Sequence, residues 1–402
     1  MDAMNSKATD ENPREGWRLE WIACLTFVGL GIPDAVLGVA WPSIAKSLAC
    51  ELTGLGYLVT VGFIGYLSAT LNSLKWVHRF GLAPVLIASS GMVIAMLLAI
   101  AWLSHYAWLI VLSFLGGVAG GSIDTSINAF ASARFSGGWV NAMHGCWGIG
   151  ASLGPTIMTT FLTMNIEWRW GYRFLAANMI AILIAIVLTR SRWREPSTED
   201  GSHAPWVPLM KLLRSPPVWW MMTLYFIYTA IESATGYLAY SYLTLHRQYS
   251  VSHAGYAIGA YWFMLTIGRL IAGSFQALVG WPVALRIHAT FVMIATLGIV
   301  FPAFVGCDLM GVVLLGLGLA PLFPTWISKT SHVVAEEFVA RSIGLQIGAA
   351  AIGVATLPAI VGQGGYAWGW WIFPAFLCVC SCLLGMTQEY ILRRIRTMHP
   401  SP

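Results

Sequence analysis

From residue 18 to residue 390 the chain is a succession of apolar runs, each long enough to cross a bilayer. Hydropathy places them near 18–46, 53–77, 84–103, 107–134, 141–164, 171–190, 218–244, 253–276, 283–305, 309–328, 341–362 and 368–390. In hydrocarbon such a run must satisfy its own backbone, and a helix does so. The expected fold is therefore all-α and polytopic, with twelve transmembrane helices in two six-helix bundles. The boundaries follow: a tail over 1–17, a first bundle over 18–190, a linker over 191–217, a second bundle over 218–390 and a tail over 391–402. Only 10% of residues are charged, against about 25% in a soluble domain. The net charge of +5 is thus a topology signal and no nucleic-acid partner is expected. All but Lys46, Arg169, Arg173 and Arg247 of the 22 Lys and Arg fall on the side of the termini. That bias puts both termini in the cytoplasm, in an inner or plasma membrane.

The halves read as weak repeats. An offset of 198 places Asp34 and Gly38 on Glu232 and Gly236. A shift of 199 aligns Phe80-Gly81-Leu82 loosely with Val279-Gly280-Trp281. Repeated halves around a midplane site are a common plan of alternating-access transporters.

Polar residues concentrate at 116–155. Gly117, Gly121, Asp124 and Asn128 share one face of the fourth span, and Asn141, His144, Gly148 and Ser152 one face of the fifth. Lipid does not tolerate such faces, so they should point at each other or at a water-filled cavity. The glycines there suit close helix contact. Asp34, Asp124 and Glu232 are read as the three acids deep in spans. Each costs roughly 2.5–3.5 kcal/mol at a helix centre, which calls for a compensating use. Proton coupling is that use; an acid that stays protonated and bonds across helices is the alternative. Tyr225, Tyr228, Glu232, Gly236 and Tyr240 form a stripe on the seventh span, and tyrosine suits sugar rings and other polar organic solutes. Tyr228, Trp147, Trp262, Trp326 and Gln346 are further cavity candidates, beside Asn128, Asn141 and His144. Arg79 and Arg134, at cytoplasmic span ends, are candidate gating residues. The cysteines show no zinc spacing, and no metal or cofactor is expected. A Cys50–Cys307 bridge between outer loops is possible from position alone.

Over its full length the chain resembles the major facilitator superfamily. Trp76-Val-His-Arg-Phe-Gly-Leu-Ala-Pro-Val-Leu86 is similar to that family's loop signature, with His78 in place of the usual Asp and Leu82-Ala83 in place of a basic pair. Within the superfamily, Asp124-Thr-Ser-Ile-Asn128-Ala-Phe130, Asn141-Ala-Met-His144 and Asp34 resemble the fucose permease branch of sugar:proton symporters. The resemblance implies that Asp34 and Asp124 couple sugar to protons. His144 and Trp147 stand where that branch carries amides, so the sugar-bonding set differs.

The expected function is proton-coupled symport of a sugar or similar neutral polar solute, with sodium as the alternative coupling ion. An efflux antiporter of amphipathic molecules competes. Only the first half of a Gly-Pro-x-x-Gly-Gly element is present, as Gly154-Pro155-Thr-Ile-Met-Thr159. A non-transporting membrane sensor is a further alternative; no enzyme chemistry is visible. The expected partners are the solute, the coupling ion and the bilayer, and the chain is expected to act as a monomer.

Overall fold

The computed structural model describes residues 13–135, 137–193 and 209–398. The tail 1–12, most of the expected linker and residues 399–402 lie outside the described residues, as does the side chain of Asn141. The described chain is helical: α1 Pro13–Ser47, α2 Gly54–Phe80, α3 Leu82–Trp102, α4 Tyr106–Arg134, α5 Gly137–Thr163 and α6 Trp168–Leu188. A short α7, Leu209–Leu213, precedes α8 Pro216–Ser241, α9 Val251–Val279, α10 Trp281–Val300, α11 Cys307–Leu319, α12 Leu322–Ser328, α13 Val339–Trp368 and α14 Ile372–Met398. Ten of these stretches, with α11 and α12 counted as one, are long and apolar enough to cross a membrane. The protein is an integral, multi-pass membrane protein. α5 and α8 have comparable length, 27 and 26 residues. They carry the polar face of His144 and Ser152, and the stripe of Tyr228 and Glu232.

Several expected span ends move, among them that of the eleventh, where α13 runs to Trp368 against an expected 362. α14 continues to Met398, past the expected end at 390. The tenth span is broken between Leu319 and Leu322. Pro321 has no N–H and its ring opposes helix continuation there.

Packing repeats with the sequence. In the first half α1 lies on α5, α2 on α4, and α3 on α6 and α4. In the second half α8 lies on α13, α9 on α11, and α10 on α14 and α11. These are the same pairings between corresponding helices of the two halves. Gly81 and Gly280, matched by the 199-residue offset, both hold positive φ, 87° and 80°, between consecutive helices. At each the glycine N–H caps the preceding helix, on Val77 O at 2.7 Å and Gln276 O at 2.9 Å. A side chain is strained at that φ, and glycine is not.

Glycines set how closely the helices approach. A Cβ at Gly31, Gly150 or Gly154 would strike backbone of the facing α5 or α1. At Gly65, Gly117 or Gly121 it would strike α4 or α2.

The halves meet through α1 with α8, α2 with α13, and α5 with α9. Several of these contacts lie in the half of the bundle remote from the termini. Thr60 Oγ1 donates to Ala355 O at 2.7 Å and Ser152 Oγ to Gly259 O at 2.9 Å. Gly38 faces Gly236, where a Cβ would come 2.6 Å from the Gly236 carbonyl. These are the two glycines that the 198-residue offset superimposes. On the terminus side, Trp193 is buried against Phe130 of the first half, with ring centroids 5.3 Å apart. Lys211 on α7 pairs with Glu337 of the second at 2.9 Å.

Candidate transport site

The polar face of α4 is the best-defined part of the site. Asp124 Oδ2 accepts a 2.5 Å hydrogen bond from the Tyr66 hydroxyl on α2. Its Oδ1 accepts a 2.8 Å bond from Asn128 Nδ2, one turn along α4. The close α2–α4 approach at Gly117 and Gly121 brings the tyrosine within reach. Asp34 stands on α1 directly after Pro33, which has no N–H and so leaves the helix one bond short at that point. Asp34 Oδ2 accepts from Trp147 Nε1 of α5 at 3.2 Å.

The second half answers with an ion pair. Glu232 Oε1 on α8 accepts from Arg269 Nη2 of α9 at 2.9 Å, and the same nitrogen donates to the Tyr228 hydroxyl at 3.1 Å. Tyr261 holds the α8 backbone there by donating to Glu232 O at 3.0 Å. Counted by sequence with the terminus-side positive charges, Arg269 instead lies ten residues inside α9. The reason is the carboxylate: an uncompensated Glu232 in this interior is far costlier than one paired with a guanidinium.

An aromatic contact joins the halves here. The Trp147 ring meets Trp262 of α9 edge to face, with centroids 5.6 Å apart. His144, on α5 with Trp147, packs edge to face on Phe27 of α1, at 5.4 Å. Asp34 and His144 are exposed, and Asp124, Asn128 and Glu232 are partly so. The Trp262 indole N–H is buried and has no hydrogen-bond acceptor within the protein.

Asp34, Asp124, Asn128, His144, Trp147, Tyr228, Glu232 and Trp262 are thus gathered about the joint. Trp326 and Gln346 are elsewhere. Both are fully buried inside the second half. Trp326 donates to Gln388 at 3.3 Å, and Gln346 accepts from Thr330 at 3.3 Å. Arg79 and Arg134 sit at the terminus-side ends of α2 and α4, over Phe80 and Phe130. Two partners had no sequence signal. Tyr66 reads as one more aromatic in an apolar run, and Arg269 as a span-end cation. Among the described residues no group of three or more His, Cys, Asp or Glu could hold a metal ion, and Cys50 and Cys307 are free thiols.

The sequence matches the profile of the Major Facilitator Superfamily over residues 23–358. The chain belongs to that superfamily. Its members are transporters, and this chain is one. A Saccharomyces cerevisiae relative, "Bypass of stop codon protein 6", is 22% identical over 416 residues, covering 93% of this chain and 82% of that protein. The glucose/mannose transporter GlcP of Bacillus subtilis is 18% identical over 347 residues, covering 84% of this chain and 85% of that one. Among solved structures, a point mutant of the nucleoside transporter NupG superposes with a TM-score of 0.75 at 12% identity, over 93% of this chain and 99% of that one. At that identity the likeness concerns the fold.

Proposed function

We propose that this superfamily member is a proton-coupled symporter of a sugar or similar neutral polar solute, working by alternating access. The observation that carries the reading is Asp124. It is a carboxyl group inside the membrane bundle, bonded on both oxygens and still partly exposed. Protonation removes its charge and one acceptor position, which frees Tyr66 or Asn128 to bond a solute hydroxyl. Asp34 lies on the same joint, and its bond to Trp147 connects it to the aromatic wall against the second half. The flat indole surface of Trp147 and Trp262 suits a ring bearing hydroxyls. Glu232 and Arg269 neutralise each other, leaving Asp34 and Asp124 as the acids whose charge a proton can change.

We take α5 and α8 as the remaining two of twelve crossings. The bundles are 18–190 and 218–390, joined by the linker 191–217, with both termini cytoplasmic and the monomer as the working unit. The glucose/mannose relative and the likeness of Asp124-Thr-Ser-Ile-Asn128 to the fucose permease branch support a sugar. The test is uptake of radiolabelled D-glucose and D-mannose into proteoliposomes. The reading expects accumulation under an inward proton gradient and its collapse with a protonophore. Accumulation that follows a sodium gradient instead would change the ion. Absence of sugar-stimulated proton movement in either direction would overturn the reading.

A further inference from the structure

Away from the transport site, a cavity of about 280 Å³ opens between the first turns of α10 and the last turns of α14. Trp281, Pro282, Arg286, Leu392, Ile395 and Arg396 line it. Its walls are of two kinds. Leu392 and Ile395 are buried and apolar, whereas Arg286 and Arg396 are exposed guanidinium groups. The surroundings are basic. Lys329 Nζ stands over the Trp281 ring at 5.6 Å, and the His332 ring lies 5.8 Å from it. The carboxylate in contact with this group is Glu389, which accepts from Arg286 at 2.8 and 3.3 Å and from Arg393 at 2.9 Å. Arg286, Lys329, Arg393 and Arg396 against Glu389 leave a clear positive excess. The feature does not come with the repeat. At the 199-residue offset the first half carries Leu82 for Trp281 and Ile87 for Arg286.

Tryptophan beside arginine at the end of a span is the arrangement of a membrane–water interface. A guanidinium fork matches phosphate oxygens, and a basic pocket between spans suits an anionic head group. Inorganic phosphate would use the arginines and leave the apolar wall idle. A phospholipid would use both.

We propose that this cavity binds a phosphate group, carried by an anionic phospholipid whose hydrocarbon lies along Leu392, Ile395 and Trp281. Glu389 is the internal competitor: it occupies Arg286 until the phosphate displaces it.

The experiment is native mass spectrometry of the full chain in detergent, titrated with dioleoyl-phosphatidylglycerol, dioleoyl-phosphatidylcholine or inorganic phosphate. The wild type should retain phosphatidylglycerol in preference to phosphatidylcholine. Arg286→Gln with Arg396→Gln should weaken that retention about tenfold. The corresponding double Lys variant, which keeps the charge but not the fork, should fall between the wild type and the double Gln variant. Glu389→Gln should bind more tightly than the wild type, a gain that a merely damaged protein would not show. Equal retention by the double Gln variant and the wild type, or weaker binding by Glu389→Gln, would overturn the site. Phosphate binding sensitive to the arginines, with phosphatidylglycerol bound no more tightly, would overturn the lipid and leave a free-anion site.

Discussion

Asp124 holds two donors, and removing one of them leaves the carboxyl in place. A hydrogen bond to a charged group contributes about 1.5–3 kcal/mol. Tyr66→Phe is therefore expected to slow gradient-driven uptake by about tenfold or more, measured as initial rate in proteoliposomes. A rate within twofold of wild type would show that the 2.5 Å bond is incidental. Glu232 and Arg269 make a different prediction. Both side chains are partly exposed, so neutralising either alone leaves a half-buried charge unpaired, at less than the about 3–5 kcal/mol of a fully buried one. Glu232→Gln should lower the unfolding temperature sharply, and adding Arg269→Gln should restore much of it. Additive losses in the double variant would contradict the pairing. The acids of this site were legible in the sequence because a carboxyl in an apolar run is costly wherever it points. Tyr66 and Arg269 were not, since a tyrosine in a span is ordinary packing and an arginine near a span end is ordinary topology. Only the fold says which carboxylate each one meets.

At the scale of helices, the glycines at 116–155 were read as contact points, and most of them are. Gly150 abuts Val28 O of α1, whereas Gly120 faces open space. Gly150→Val should prevent α1 from closing on α5, lowering the yield of folded protein and its unfolding temperature. Gly120→Ala should leave both unchanged or slightly raised, since alanine is the better helix former by about 0.5–1 kcal/mol. Equal effects would mean that the α1–α5 approach is not set by the missing Cβ. Asp308 was not legible as a buried acid because it lies at the very start of α11. The structure buries it completely. It accepts from Arg247 and Tyr249, each at 2.6 Å, and Tyr249 in turn accepts from Gly306 N at 2.9 Å. The cluster ties the α8–α9 connection to the start of α11. Arg247 is a third exposed, so breaking the pair should cost less than a fully buried one. Asp308→Ala is expected to destabilise by about 2–3 kcal/mol, read from thermal unfolding in detergent. The break at Pro321 left no mark in the hydropathy, because apolar residues run through it without interruption; its sequence signal was the proline itself.

For the molecule as a whole, the repeat offset proved informative beyond its length. At 199 it pairs Gly81 with Gly280 at two equivalent turns, and at 198 Gly38 with Gly236 across the joint. What it could not supply is which parts of the halves touch. Thr60 and Ala355 are in contact on the side remote from the termini. If the bundles rock about the joint, that contact must open once per cycle. Thr60→Cys with Ala355→Cys should form an oxidised cross-link that stops uptake, with full recovery on reduction. Unchanged uptake in the cross-linked protein would mean that this side does not open. The central claim is that Asp124 couples proton movement to solute movement. Its most direct measurement is D-glucose and D-mannose transport by Asp124→Asn proteoliposomes, with and without an imposed proton gradient. The account predicts that accumulation against a gradient disappears while exchange of sugar between equal pools continues. Accumulation driven by the proton gradient at the wild-type level in that variant would contradict it.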